Sequence, residues 1–390
     1  MLRTLSTTRL IALAAVVVTV AIVGATVAVA ASGGGGATPP PKPLATAVHD
    51  ALAAQAPAGV TARITFTNKL FPSGAIVGAA GSALMSGATG RLWVNDTGGR
   101  LELQSDAGDV QVTWNDTKAT VYDASSNTAY TFDLPQHASD NSGTHTVPSV
   151  DEITTFLTDL SKHWTVSGAE PSNVAGEQAY TVKVSPSHDG GLLGSAQLAW
   201  DALNGVPLRV AIYAQGASTP ALALEATDIS FGDVSNADVQ VPPPAGAKVV
   251  DLSSATNGGT DHGSANAPVV GLAAVQAAAG FPVTAPDTLV GLPRQDVRLV
   301  GPADSRAALV VYGQGLGAIV VVERAKDTSG GSGPAGAMSS LPAVSVDGVT
   351  GHELATQLGT IITWDRGGVT YVLAGSIPNG AAETAAASLK

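Results

Sequence analysis

The sequence predicts an α+β chain: an apolar N-terminal segment, a long run of antiparallel strands with few helices, then a smaller mixed unit. Three observations carry this. From Ala179 to Phe231, apolar residues recur at every second position: Tyr180, Val182 and Val184; Ala196, Leu198 and Trp200; Leu208, Val210 and Ile212. That period belongs to strands with one face turned to an apolar interior. Leu10 to Ala31 is almost wholly apolar, and Asp251 to Pro268 is a polar stretch rich in Gly, Ser and Asn that divides the chain.

Taken in order, Leu10 to Ala31 is long enough to cross a hydrocarbon core of about 30 Å as a helix. Arg3 and Arg9 precede it, and no Lys or Arg follows until Lys42. The positive-inside rule then puts the N-terminus in the cytoplasm and the rest outside, as a single-pass membrane protein. The competing reading is a cleaved signal peptide with secretion of the body, since Ala28-Val29-Ala30 suits a small-x-small site. The length of the run favours the retained anchor, and both readings export the body. Ser32 to Pro43 reads as a Gly/Pro linker, residues 44–250 as the first domain, 251–268 as a second linker and 269–390 as a small α+β domain.

Leu44 to Gln55 has helical spacing, with Leu44, Val48 and Leu52 on one side. Strands follow at Thr61 to Phe71, Arg91 to Val94, Leu101 to Gln104, Val110 to Trp114, Ala119 to Tyr122 and Ala129 to Leu134, punctuated by Gly, Asn and Asp turns. Ser149 and Glu152 form a capping box ahead of a helix whose stripe is Val150, Ile153, Phe156, Leu157 and Leu160. In the meander, Asn204-Gly205 supplies the positive-φ positions of a hairpin turn, and Pro207 begins the next strand. The last unit reads as a helix from Val269 to Ala279 and strands at Val297 to Val300, Ala307 to Tyr312 and Ala318 to Glu323. Further strands follow at Ala343 to Val346, His352 to Thr356, Thr360 to Trp364 and Val369 to Leu373, with a closing helix from Ala381 to Leu389.

Composition removes several function classes. A net charge of −12 argues against nucleic acid, whose phosphates call for clustered Lys and Arg. With no cysteine there is no disulfide, thiolate metal site, Cys nucleophile or lipidated Cys. His352-Glu353 lacks the second His of a zinc helix. Gly313-Gln314-Gly315-Leu316-Gly317 lies between two strands and reads as a turn rather than a phosphate cradle. No nucleophile elbow or metal-ligand cluster stands out, so the expectation is a protein that is not an enzyme and needs no cofactor. Two loops are unusual in being apolar, since loops ordinarily face water: Phe71 to Met85, and the glycine-flanked tip at Leu192-Leu193. Either both tuck into the core as plugs, or they stand at the mouth of an apolar groove. On the second reading Phe71, Ile76, Val77, Leu84, Met85, Leu192 and Leu193 contact a hydrophobic ligand.

Gly90-Arg91-Leu92-Trp93, the strand from Asp116 to Tyr122 with Asp123, and Trp200-Asp201 through Gly205-Val206-Pro207-Leu208-Arg209 resemble the LolA-like group. It comprises lipoprotein carriers, the N-terminal domain of the co-regulator MucB/RseB and mycobacterial lipid-binding lipoproteins. The resemblance covers about Leu44 to Lys248 and rests on a pattern of strands, not on a catalytic signature. From Phe281 to Leu389 the chain resembles the small DUF4367 domain, through Phe281-Pro282-Val283, Val311-Tyr312-Gly313 and Tyr371-Val372-Leu373. The resemblance implies an unclosed barrel whose concave face holds lipid or lipoprotein acyl chains under a helical lid, in a membrane-anchored actinobacterial type. It also implies an alternative, an envelope-stress regulator acting on a membrane regulator protein. A tethered chain departs from a shuttling carrier: it could hold, hand over or sense a lipid, but not ferry one across a wide periplasm.

Overall fold

The computed structural model describes residues 37–70, 83–134, 147–187, 191–251, 269–301, 306–326 and 341–390. Helix α1 (Leu44–Ala53) leads into β1 (Gly59–Asn68). A one-turn helix α2 (Ala83–Ser86) precedes β2 (Ala88–Asn95), β3 (Gly98–Ser105), β4 (Gly108–Trp114), β5 (Lys118–Asp123) and β6 (Thr128–Asp133). Helix α3 (Val150–Leu160) is followed by β7 (Trp164–Val166), β8 (Glu170–Val174), β9 (Glu177–Pro186), β10 (Leu193–Asp201), β11 (Pro207–Ala214) and β12 (Leu222–Phe231). A short turn of helix, α4 (Asn236–Val239), and β13 (Lys248–Asp251) close this part.

These strands form one thirteen-stranded sheet in the order β13-β6-β5-β4-β3-β2-β1-β12-β11-β10-β9-β7, with β8 also on β9. The ladders are antiparallel except the pairing of β13 with β6. From β1 to β6 and from β8 to β12, neighbours in sequence are neighbours in the sheet; β1 also pairs with β12 and brings the two meanders together, while β7 pairs with β9 and β13 with β6. At Gly90 a Cβ would lie 1.9 Å from the Glu102 carbonyl oxygen, so only glycine lets β2 and β3 approach so closely there.

The second sheet has eight strands in the order β14-β15-β16-β17-β21-β20-β19-β18. They are β14 (Thr288–Leu289), β15 (Leu292–Val300), β16 (Ala307–Tyr312), β17 (Ile319–Ala325), β18 (Ala343–Val346), β19 (Val349–Thr356), β20 (Gly359–Arg366) and β21 (Val369–Gly375). Helices α5 (Leu272–Ala279) and α6 (Asn379–Ser388) pack on it. Its core, with Tyr312, Ile319, Ile362, Leu373 and Leu389 at or near zero exposure, shares no residue with the clusters of the first sheet.

The capping box forms: the Ser149 hydroxyl accepts from the Glu152 N–H at 3.3 Å, and the Ser149 N–H donates to the Glu152 carboxylate at 2.8 Å. The stripe behind it is mostly half-buried or exposed. Only Ile153 is buried, and Phe156 is 63% exposed, because α3 packs mainly on α1, with a lesser contact to β7 at the sheet edge. The linker expected over Ser32 to Pro43 also differs. From Ala37 onward it lies on the fold, with Pro39 buried and Lys42 bridged to Ala169. Among the described residues no helix is long and apolar enough to cross a membrane; the predicted span, Leu10 to Ala31, lies outside them.

Candidate functional site

Because directly opposed residues share a face of a sheet, the register fixes what looks inward. Val60 faces Val94, Ala62 faces Leu92, Leu92 faces Leu101, and Leu101 faces Val112. On the other side of β1, Phe66 faces Leu224 and Ala62 faces Ile229. These side chains converge on one cavity of about 360 Å³, walled by β1, β2, β3, β4, β11 and β12, with Leu84 of α2 at one end. Six strands can surround a single cavity only if the sheet curls, so the concave face is apolar as the alternation predicts.

The lining is hydrocarbon with one charged residue, Arg209. Its guanidinium is engaged by neighbours: it donates to Glu225 at 2.9 Å, Gln197 at 2.7 Å and the Tyr213 hydroxyl at 2.6 Å. A cavity lined this way offers water no partners and favours apolar guests. Its volume is in the range of small-molecule sites.

Helix α1 covers the next stretch of the same face. Ala47, with Leu44, Val48 and Ala51, packs on Tyr180, Val182, Leu198 and Trp200, and Leu198 stands opposite Val210 of the cavity wall. Tyr180 and Trp200 lie 6.2 Å apart between ring centroids, and the Tyr180 hydroxyl donates to the Pro40 carbonyl at 2.6 Å. With α3 on top of it, α1 forms a helical cover beside the cavity.

Of the seven predicted contact residues, Phe71, Ile76 and Val77 lie outside the described residues. Leu84 lines the cavity; Met85, beside it, is half-buried and does not. Leu192 and Leu193 are also absent from the lining. Their hairpin tip is set against the second sheet, where the Leu192 N–H donates to the Ser376 carbonyl at 3.1 Å and to its hydroxyl at 2.9 Å. At Gly191, φ is +66° and a Cβ would lie 2.1 Å from the same carbonyl. The walls that loop-centred reasoning missed, Ile64, Leu101, Leu103, Val112 and Leu224, carry the ordinary period-two signal of strands.

The outer face of β1 to β3 holds a second, more open groove of about 620 Å³, lined by Arg63, Arg91, Arg100, Trp93 and Glu102 among others. Arg100 lies 4.0 Å over the Trp93 ring and 3.5 Å from the Glu102 carboxylate, with its side chain largely covered, a charged cluster unlike the hydrocarbon interior. No group of three or more metal-ligating side chains occurs among the described residues. His352 and Glu353 lie on β19, with the His352 ring nitrogen at 2.9 Å from the Leu341 carbonyl. The glycine-rich stretch at Gly313 is the connection between β16 and β17.

No family model matches the chain, and no curated protein does. Among solved structures, MucB in complex with MucA(peri) is 15% identical, with a TM-score of 0.41 over 89% of this chain and 96% of that one. The Pseudomonas aeruginosa MucA/MucB complex is 15% identical, with a TM-score of 0.40 over 88% and 94%. A putative outer membrane lipoprotein-sorting protein domain from Vibrio parahaemolyticus is 9% identical, with a TM-score of 0.19 over 47% and 89%. TM-scores in this range are too low to identify a common fold.

Proposed function

We propose that this chain is an exported, membrane-tethered, non-catalytic protein that holds a lipid or lipoprotein acyl chain on the concave face of its curled sheet. The observation that carries the reading is the hydrocarbon lining of the 360 Å³ cavity. Each methylene moved from water into such a lining gains about 0.8 kcal/mol, so an alkyl chain suits it better than a polar ligand. Leu84 contacts the guest from α2, and Phe71, Ile76 and Val77 fall in the sequence between β1 and α2. The tether is the apolar run Leu10 to Ala31, and the lipoprotein-carrier resemblance agrees with this use of the fold.

Native mass spectrometry of the purified protein should show co-purifying lipid. Ala62→Phe and Ala226→Phe each place a ring in the wall, from positions 3% and 7% exposed. Each should weaken binding of a fluorescent fatty acid about tenfold, about 1.4 kcal/mol, while the melting temperature holds. A wild-type protein with neither retained lipid nor acyl-probe binding overturns the reading and leaves a protein partner, such as a membrane regulator, as the alternative.

A further inference from the structure

We propose that the end of the molecule carrying Leu52 and Leu203 rests on the lipid bilayer, with Leu203 inserted among the acyl chains. This rests on the tether of the preceding section, and it adds which face meets the membrane.

The tether is shorter than its sequence implies. The Ala37 carbonyl accepts from the Asn173 side chain at 3.3 Å, the Pro40 carbonyl accepts from Tyr180, and Lys42 pairs with Asp50 at 2.6 Å. Only Ser32 to Gly36 separates this docked stretch from the apolar run that ends at Ala31. Six Cα steps reach at most about 20 Å. The surface on which Ala37 lies is therefore held close to the membrane.

That surface is the one bearing the exposed leucines. Asn173 pairs with Gln178, whose carbonyl accepts from the Ala202 N–H at 2.8 Å. Two strand spacings, on the order of 10 Å, separate Asn173 from Ala202. The next residue, Leu203, is 72% exposed. Its turn is firmly built: the Asp201 carboxylate accepts from the N–H groups of Leu203 at 2.9 Å and Asn204 at 2.8 Å, and the Asn204 side chain accepts from Val206. Gly205, at φ +73°, lies so close to α1 that a Cβ would sit 2.4 Å from the Ala51 carbonyl. Leu52, 54% exposed, follows directly. Two exposed leucines, each within two residues of this contact, are thus carried on ordered backbone.

The charges nearby suit a hydrophobic contact. Ala51 to Ala62 and Ala202 to Leu208 contain no charged residue. Of the adjoining carboxylates, Asp50 is paired with Lys42 and Asp201 is 2% exposed. Glu177, on the neighbouring hairpin, is held above the usual carboxylate range by burial and by Asp201, which favours its uncharged form. Val206 and Pro207, just beyond Leu203, line the apolar cavity, so hydrocarbon surface runs from the displayed turn into the site.

The absence of cysteine makes the test direct. Full-length Leu203→Cys, Leu52→Cys and, as a control on the far edge strand, Val249→Cys are labelled with an environment-sensitive dye. Each is reconstituted in phosphatidylcholine vesicles with and without brominated lipid. Dye at 203 and 52 should emit to the blue and be quenched by brominated lipid, while dye at 249, a position 64% exposed, stays solvent-like. Vesicle-bound protein with solvent-like emission at 203 overturns the docking and leaves the tether standing. A blue shift without lipid quenching means a second protein copy covers the face, which also overturns it. Protein that does not float with vesicles overturns the tether and the docking with it.

Discussion

Glu323 is fully buried on β17, opposite Ala308 of β16 and Tyr371 of β21. One carboxylate oxygen accepts from the Thr284 N–H at 2.8 Å; the other is buried with no hydrogen-bond partner among the described residues. Burial pushes its pKa up to about 7, and the same burial, with Glu323 nearby, raises that of Tyr312. The unfolded carboxyl titrates near 4.5. Below that pH both states hold the proton and the group costs nothing. Between about 4.5 and 7 the unfolded chain releases it while the folded one keeps it, so stability falls as pH rises, by roughly 3 kcal/mol in all. Glu323→Gln should therefore raise the melting temperature at pH 8 and leave it nearly unchanged at pH 4.5; parallel curves at all pH values would refute this. The position was legible, since Ile319, Val321 and Glu323 alternate onto one face. The depth was not, because a strand-end glutamate ordinarily reaches water.

At the scale of elements, local chemistry was readable wherever neighbours in sequence supply the partners. The Ser149 capping box, the Asn204-Gly205 turn and the strands of the meander follow from propensity and period. The choice of partner was not readable. The stripe of α3 reads as one apolar face, yet among the described residues α3 packs chiefly on α1, with a lesser contact to β7, and leaves Phe156 in solvent. Leu192-Leu193 reads either as a plug or as a groove mouth, and its tip meets Ser376, 184 residues away. No local pattern encodes a contact that long. The cap allows a test of the helical cover. Ser149→Ala should cost about 1 kcal/mol, speed amide exchange in α3 and, because α3 rests on α1 beside the cavity, speed release of a fluorescent fatty acid. Faster exchange with an unchanged release rate would show that the helices do not gate the site.

For the whole molecule, the relevant fact is that the hydrophobic clusters do not mix. Every residue of the large C-terminal cluster lies between Val269 and Leu389, and those of the other three lie between Leu44 and Ile229. The stretch expected to join the two parts lies outside the described residues, apart from Asp251, which ends β13 on the first sheet. Across the two sheets, the tip at Gly191 and Leu192 meets Ser376, and the Gln357 side chain donates to the Lys69 carbonyl at 3.2 Å. Hydrogen bonds near solvent such as these contribute about 1 kcal/mol each, and no hydrophobic cluster among the described residues spans both sheets. Limited proteolysis within residues 252–268 should give two folded pieces that melt in separate transitions and part on size-exclusion chromatography. Gly191→Ala, which cannot keep both φ +66° and the approach to Ser376, should weaken the contact in the intact chain without shifting either transition. Pieces that stay associated, or a C-terminal piece that unfolds once released, would mean that the sheets depend on each other for stability despite their separate cores.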